Sequence, residues 1–161
     1  MKDKTLTLSY TEFETWDELS PNHQELISQA IAAAEQSYSP YSQFPVGAAV
    51  LLEDGQIFRG SNQENLSFPA GTCAERSVLH YIGANIPQGK IKTIAVTALR
   101  STSAHPVTPC GICRQVMSEC ENRQGTEIEV LLHKLNGSTY RFVSASGLLP
   151  LAFEETILSQ P

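Results

Sequence analysis

The chain is poor in positive charge. Its 161 residues carry 11 Lys and Arg against 17 Asp and Glu, a formal net charge of −6 at pH 7, and no stretch concentrates Lys or Arg. A protein that grips a nucleic-acid backbone presents a basic face to the phosphates. DNA, long RNA and anionic membrane surfaces are therefore poor fits as partners. Long apolar runs are also missing. The longest, Val46 to Leu52, falls far short of the ~18–20 residues that span a bilayer. Met1-Lys2-Asp3-Lys4 leads into Thr-Leu-Thr-Leu, which lacks the apolar centre of a secretory leader, so a cytoplasmic location is expected. Cysteine is scarce, with four residues at 73, 110, 113 and 120. Clustered cysteines in an intracellular protein point to metal binding or catalysis before disulfides. What remains is ordinary. With 41% hydrophobic and 17% charged residues, the chain can bury a core, and its length suits one domain.

Residues 1–19 are polar with scattered aromatics and read as an N-terminal arm; residues 20–161 read as a single domain. Ser20-Pro21 is a helix-start signal. Leu26, Ile27, Ala30, Ile31 and Ala34 repeat at helical spacing to about Gln36. Ser39 to Pro45 holds two prolines and predicts a loop. Val46–Leu52 and Gln56–Ser61 flank Glu53-Asp54-Gly55, a hairpin signal. A helix is expected over Cys73–Ile82, a strand over Ile91–Ala98 and a helix over Cys110–Cys120. Strands over Glu127–His133 and Tyr140–Ser144 follow, then a terminal helix over Leu148–Leu158. Helices alternating with strands predict an α/β fold, with helices on both faces of a mixed sheet of five strands.

Two segments carry chemistry: Cys73-Ala74-Glu75-Arg76, and Pro109-Cys110-Gly111-Ile112-Cys113-Arg114-Gln115. A Cys-x-x-Cys pair at a helix start sets two sulfurs on one side of a turn, and Cys73 offers a third. A structural zinc takes four protein ligands, whereas a catalytic one keeps a position open for water. Cys120 lies seven residues beyond Cys113, a helical rise of roughly 10 Å, against zinc–sulfur bonds of ~2.3 Å. The count therefore favours an open site with Glu75 beside it. Taken singly, each piece has a plainer reading. Cys-x-x-Cys serves redox and structural sites equally, and Cys73 alone would be a buried thiol. Together they match the three-cysteine form of the zinc deaminase signature.

The chain resembles the homotetrameric, three-cysteine class of cytidine deaminases over roughly residues 20–155. The resemblance rests on Ser39-Pro-Tyr-Ser-Gln-Phe-Pro-Val-Gly-Ala-Ala, Asn62-Gln-Glu-Asn, Cys73-Ala-Glu-Arg, Pro109-Cys-Gly-Ile-Cys-Arg-Gln and Leu148-Leu-Pro-Leu-Ala-Phe153, in that order. It implies a three-layer α/β/α fold and one zinc ion per chain on Cys73, Cys110 and Cys113. Glu75 would be the proton shuttle in converting cytidine or deoxycytidine to uridine or deoxyuridine in pyrimidine salvage. By the same resemblance Asn62 and Glu64 bind the ribose 3′-hydroxyl, Phe44 packs on the pyrimidine and the Ala74 backbone contacts the base. Phe153 would reach a neighbouring subunit's site in a homotetramer. Arg76, and with it Arg114, could donate hydrogen bonds to ligand sulfur and blunt the charge of three thiolates.

Plainer roles stand beside these. Asn62 and Glu64 would serve as loop caps, the phenylalanines as core and the arginines as surface ion pairs. Leu66 stands where the family usually has a small residue, and Phe68 where it usually has Tyr. That leaves the 5′ end of the sugar open. Deaminases of a modified cytosine nucleoside such as blasticidin S share the Pro-Cys-x-x-Cys-Arg-Gln run, but Asn62-Gln-Glu-Asn65 favours an ordinary nucleoside. A zinc-stabilised interaction module would need a fourth ligand that the sequence does not offer.

Overall fold

Ser20 opens the first helix as its hydroxyl predicts. The Ser20 Oγ accepts a hydrogen bond from the His23 backbone N–H at 3.2 Å, and Pro21 takes the first helical position, where a missing N–H costs nothing. The structure, a computed structural model, describes residues 1–153. In chain order it contains β1 (Thr11–Phe13), α1 (Pro21–Glu35), β2 (Val46–Leu52), β3 (Ile57–Ser61), α2 (Ala74–Asn85), β4 (Ile91–Ala98), α3 (Gly111–Gln124), β5 (Glu129–Lys134) and β6 (Thr139–Phe142). Single 3-10 turns lie at Trp16–Glu18, Phe68–Ala70 and Ser146–Leu148. The expected terminal helix is reduced to the last of these turns within the described residues, since residues 149–153 carry no helix; positions 154–158 of that expectation lie outside them.

The strands form one sheet in the order β1-β6-β5-β4-β2-β3. Among the described residues only β4 and β5 are parallel, and α3 is the crossover that a parallel pair requires. All other neighbours are antiparallel. The fold is the expected α/β class, but within the described residues the sheet has six strands rather than five. The extra one, β1, comes from the arm and pairs with β6, Thr11 opposite Arg141 and Phe13 opposite Thr139. Three residues in a polar stretch leave no alternation to read, so only the long-range pairing reveals the strand.

Alternate residues of the central strands feed two cores. Ala49, Ala95 and Leu131 face Leu26, Ile27 and Ala30 of α1. Ala48, Val50, Val96 and Leu132 face the opposite side, where Val78 of α2 and Met117 of α3 pack. Two glycines allow the helices to come this close. A Cβ at Gly47 would stand 2.0 Å from the Ala30 carbonyl oxygen. One at Gly60 would stand 2.8 Å from both the Ala74 oxygen and the Val78 nitrogen. The first turn of α2 is thereby pressed against β3, and this sets where Cys73 and Glu75 lie.

Candidate active site

Two helix starts converge. Cys73 immediately precedes α2 and Cys110 immediately precedes α3, each in extended backbone. Their sulfurs thus sit at helix N-termini, where unpaired N–H groups and the helix dipole favour negative charge. Cys113, buried in the first turn of α3, completes a cluster whose three Sγ atoms lie within 4.8 Å of one another. The Cys110 and Cys113 sulfurs are 3.7 Å apart. Two sulfurs bound at ~2.3 Å to a tetrahedral zinc stand about 3.8 Å apart, so the donor set fits zinc in both chemistry and spacing. Among the described residues these three are the ligands the cluster offers, which leaves a fourth position to a small molecule. Cys120 is buried in the core between α2 and α3 and takes no part in the cluster.

The surrounding charges suit such a centre. Hydrogen bonding from the Cys113 thiol, aided by Arg76, lowers the Cys73 pKa to about 5. Cys113 is held protonated in return by that same hydrogen bond and by burial. Three adjacent thiols cannot all ionise without a cation to hold them. Arg76 Nη2 lies 3.9 Å from Cys73 Sγ, while its Nε is buried without a partner among the described residues. Glu75, only 4% exposed, has its pKa raised by burial first and by the Cys73 charge as well. Its carboxyl is poised to take up a proton more readily than an exposed one.

A cavity of about 670 Å³ opens over the cluster, with Cys73, Cys110, Glu75 and Arg76 in its lining. That size lies within the range of small-molecule sites. Residues 20–125 match the family model described as the cytidine and deoxycytidylate deaminase zinc-binding region. The chain belongs to this zinc-binding deaminase family. It is 41% identical over 133 residues to a cytidine deaminase of Halalkalibacterium halodurans, a match covering 82% of this chain and 94% of the relative. It is 40% identical over 136 residues to one from Sporosarcina psychrophila, covering 84% and 94%. The crystal structure of a cytidine deaminase from Burkholderia pseudomallei superposes with a TM-score of 0.71 at 40% identity, over 81% of this chain and 98% of that one.

Membership in the deaminase family accounts for the zinc, one ion per chain, and the cavity shows how the other expected residues are arranged. Asn62 and Glu64 line it, but both also staple loops. Asn62 Oδ1 accepts from the Val46 N–H at 2.9 Å and its Nδ2 donates to the Phe44 carbonyl at 3.1 Å. Glu64 Oε2 accepts from the N–H groups of Tyr41 and Ser42 at 2.9 and 3.2 Å. The hydrogen bond involving Ser42, helped by the Tyr41 amide, holds the Glu64 carboxyl below its usual range. Ala74 is buried as the first residue of α2. Phe44 is half-buried beside this wall rather than in it.

Arg114 does not donate to sulfur. Its Nε donates to the Pro109 carbonyl at 2.7 Å and its Nη1 to the Leu148 carbonyl at 3.1 Å. The residue after Cys113 is turned some 100° around the helix, away from the sulfur face. Phe153 is 70% exposed, its backbone held by two hydrogen bonds to the Gln115 side chain. Sequence reasoning misses Tyr41, Val107 and Thr108, which also line the cavity. Tyr41 meets Phe68 edge-on, with ring centroids 5.9 Å apart. The two come from separate loops, and no local pattern joins them.

Proposed function

We propose that this protein catalyses the hydrolytic deamination of cytidine and deoxycytidine to uridine and deoxyuridine, with release of ammonia. The observation that carries this reading is the trio of Cys73, Cys110 and Cys113 at zinc spacing beside a buried Glu75, under a cavity of small-molecule size. Zinc, when bound, supplies the Lewis acidity that makes water a competent nucleophile near neutral pH. Glu75 takes the proton from the attacking water and gives it to N3 of the base, then takes the proton of the hydroxyl now on C4 and passes it to the departing amine. Burial supports this duty, because it narrows the gap between the carboxyl's two protonation states at neutral pH.

Arg76 offsets the charge of the sulfurs. Asn62 and Glu64 meet the ribose 3′-hydroxyl, Phe44 packs on the pyrimidine and the Ala74 backbone meets the base polar edge. We place the reaction in pyrimidine salvage in the cytoplasm. The working form is a homotetramer whose Phe153 side chains complete neighbouring sites. The exposure of Leu66, Phe68 and Phe153, at 79, 74 and 70%, supports an assembly that covers them. Residues 20–161 act as one catalytic domain preceded by the arm.

The reading is tested by incubating the zinc-loaded protein with cytidine and following the loss of the cytosine absorbance together with ammonia. Stoichiometric uridine and ammonia are expected. Zinc-loaded protein that converts neither cytidine nor deoxycytidine would overturn it, and turnover of blasticidin S alone would move the substrate to modified nucleosides.

A further inference from the structure

The N-terminal arm reaches further than the sheet edge. β1 lies antiparallel to β6 with Glu12 opposite Tyr140. This register lays Tyr10 over the neighbouring aromatics, its ring centroid 4.7 Å from that of Tyr140 and 5.4 Å from that of Phe142. The Tyr140 hydroxyl, in turn, hydrogen-bonds His105 Nδ1 at 2.8 Å. His105 belongs to the segment that joins β4 to α3. That segment otherwise bonds largely to itself: Ser103 N–H donates to Ser101 Oγ and His105 N–H to Ser103 Oγ. Among the described residues, the Tyr140–His105 contact is the one hydrogen bond tying residues 101–108 to another element. The same segment supplies Val107 and Thr108 to the cavity wall and ends against Cys110.

We propose that Tyr10, Tyr140 and His105 form a clamp that positions this cavity wall. The arm covers Tyr140, Tyr140 holds His105, and His105 fixes the backbone that presents Val107 and Thr108. None of the three lines the cavity or joins the sulfur cluster, so they are positioning residues. A wall held in place meets the substrate without first being ordered, and that ordering cost would otherwise appear in binding. The expected kinetic effect is therefore on KM more than on kcat. Only this kinetic part rests on the cytidine deaminase reading.

The test uses the full zinc-loaded chain. Tyr140→Phe keeps the ring and its stacking and removes only the hydroxyl. His105→Ala removes the other end of the bond, and His105→Asn returns an oxygen near the place of Nδ1. Tyr10→Ala uncovers the pair. Hydrogen exchange of the amides at 101–108 is expected to accelerate in Tyr140→Phe, His105→Ala and Tyr10→Ala, with zinc still at one per chain. KM for cytidine should rise about two- to tenfold, the worth of one neutral hydrogen bond, with kcat little changed. The double variant Tyr140→Phe/His105→Ala should be no worse than either single variant, as two ends of one contact require. His105→Asn should recover most of the loss. Unaltered exchange at 101–108 in Tyr140→Phe would overturn the clamp, as would additive effects of the two variants. Wild-type protein inactive on cytidine would count against the proposed reaction, and the exchange data would still decide the clamp.

Discussion

Glu121 is the buried carboxylate on which the end of α3 depends. Its Oε2 accepts from the backbone N–H groups of Ile128 and Ala145, both at 2.8 Å. Its Oε1 accepts from Ser144 Oγ at 2.7 Å and from the Ser146 N–H at 3.2 Å. Burial opposes the charge, but the hydrogen bonds, that involving Ser146 foremost, outweigh it and hold the pKa below the ordinary 4.5. One side chain thus joins α3, the start of β5 and the turn after β6. Glu121→Gln keeps the shape but leaves a single acceptor oxygen. Its best orientation turns that oxygen to Ile128 and Ala145 and the amide nitrogen to Ser144, leaving the Ser146 N–H unpaired. Two hydrogen bonds lose charge assistance, at about 1 kcal/mol each, and one N–H goes unmet at about 1–3 kcal/mol, so the loss is about 3–5 kcal/mol. At about 2–4 °C per kcal/mol for a chain of this size, Tm should fall by about 6–20 °C. Thermal unfolding of zinc-loaded wild type and variant at neutral pH measures this directly. The gap should narrow as pH falls below 4.5, because the native carboxylate then loses its advantage over the unfolded one. A Tm change under about 2 °C at neutral pH, too small for one unmet N–H, would refute the reasoning.

Other expectations follow from the same contacts. Cys73→Ala, Cys110→Ala and Cys113→Ala should each lose zinc, while Cys120→Ser should retain it; metal analysis of the purified variants checks both. Burial works against the charge of Glu129, but hydrogen bonds from His23 and Arg141 hold its pKa at about 2, and burial lowers that of His133 to about 4. In both cases the unfolded chain binds the proton more readily, so stability is lost as pH falls, from 6.5 towards 4 for His133 and from 4.5 towards 2 for Glu129. Unfolding midpoints across this range should show a Glu129→Gln deficit that shrinks as pH falls from 4.5 towards 2. Phe68→Tyr would add a hydroxyl at the cavity wall. It should raise kcat/KM for cytidine relative to 5′-deoxycytidine by up to about tenfold, and an unchanged ratio would leave Phe68 a packing residue.

Chemistry was more legible in the sequence than architecture. The meeting of Cys73, Cys110 and Cys113 in one cluster could be read because a zinc site demands that residue type and spacing, and because Cys120 lies too far along the helix to join it. The elements from Pro21 to Phe142 were legible to within a few residues, since each carries its own apolar period or turn signal. β1 was not, because its place depends on pairing with β6 across most of the chain. The terminal helix expected from Leu148 is not formed over 149–153, where the Leu148 carbonyl is taken by the Arg114 side chain, a contact from across the fold. Asn62 and Glu64 stand out only through the family resemblance, and the loop backbone groups they bond, at Tyr41, Ser42, Phe44 and Val46, are tertiary facts. The Tyr10–Tyr140–His105 chain joins three distant segments and has no signature in any of them.

The central claim is that Glu75 moves the proton at a three-cysteine zinc centre, and Glu75→Gln tests it most directly. The amide fills the same buried space but cannot accept a proton from water. Zinc content and Tm should stay close to wild type, while kcat for cytidine falls by at least about 10⁴-fold, the upper end for a single proton-transfer group, because Glu75 serves more than one step. A folded, zinc-replete Gln variant that keeps a tenth of the wild-type rate would contradict the account.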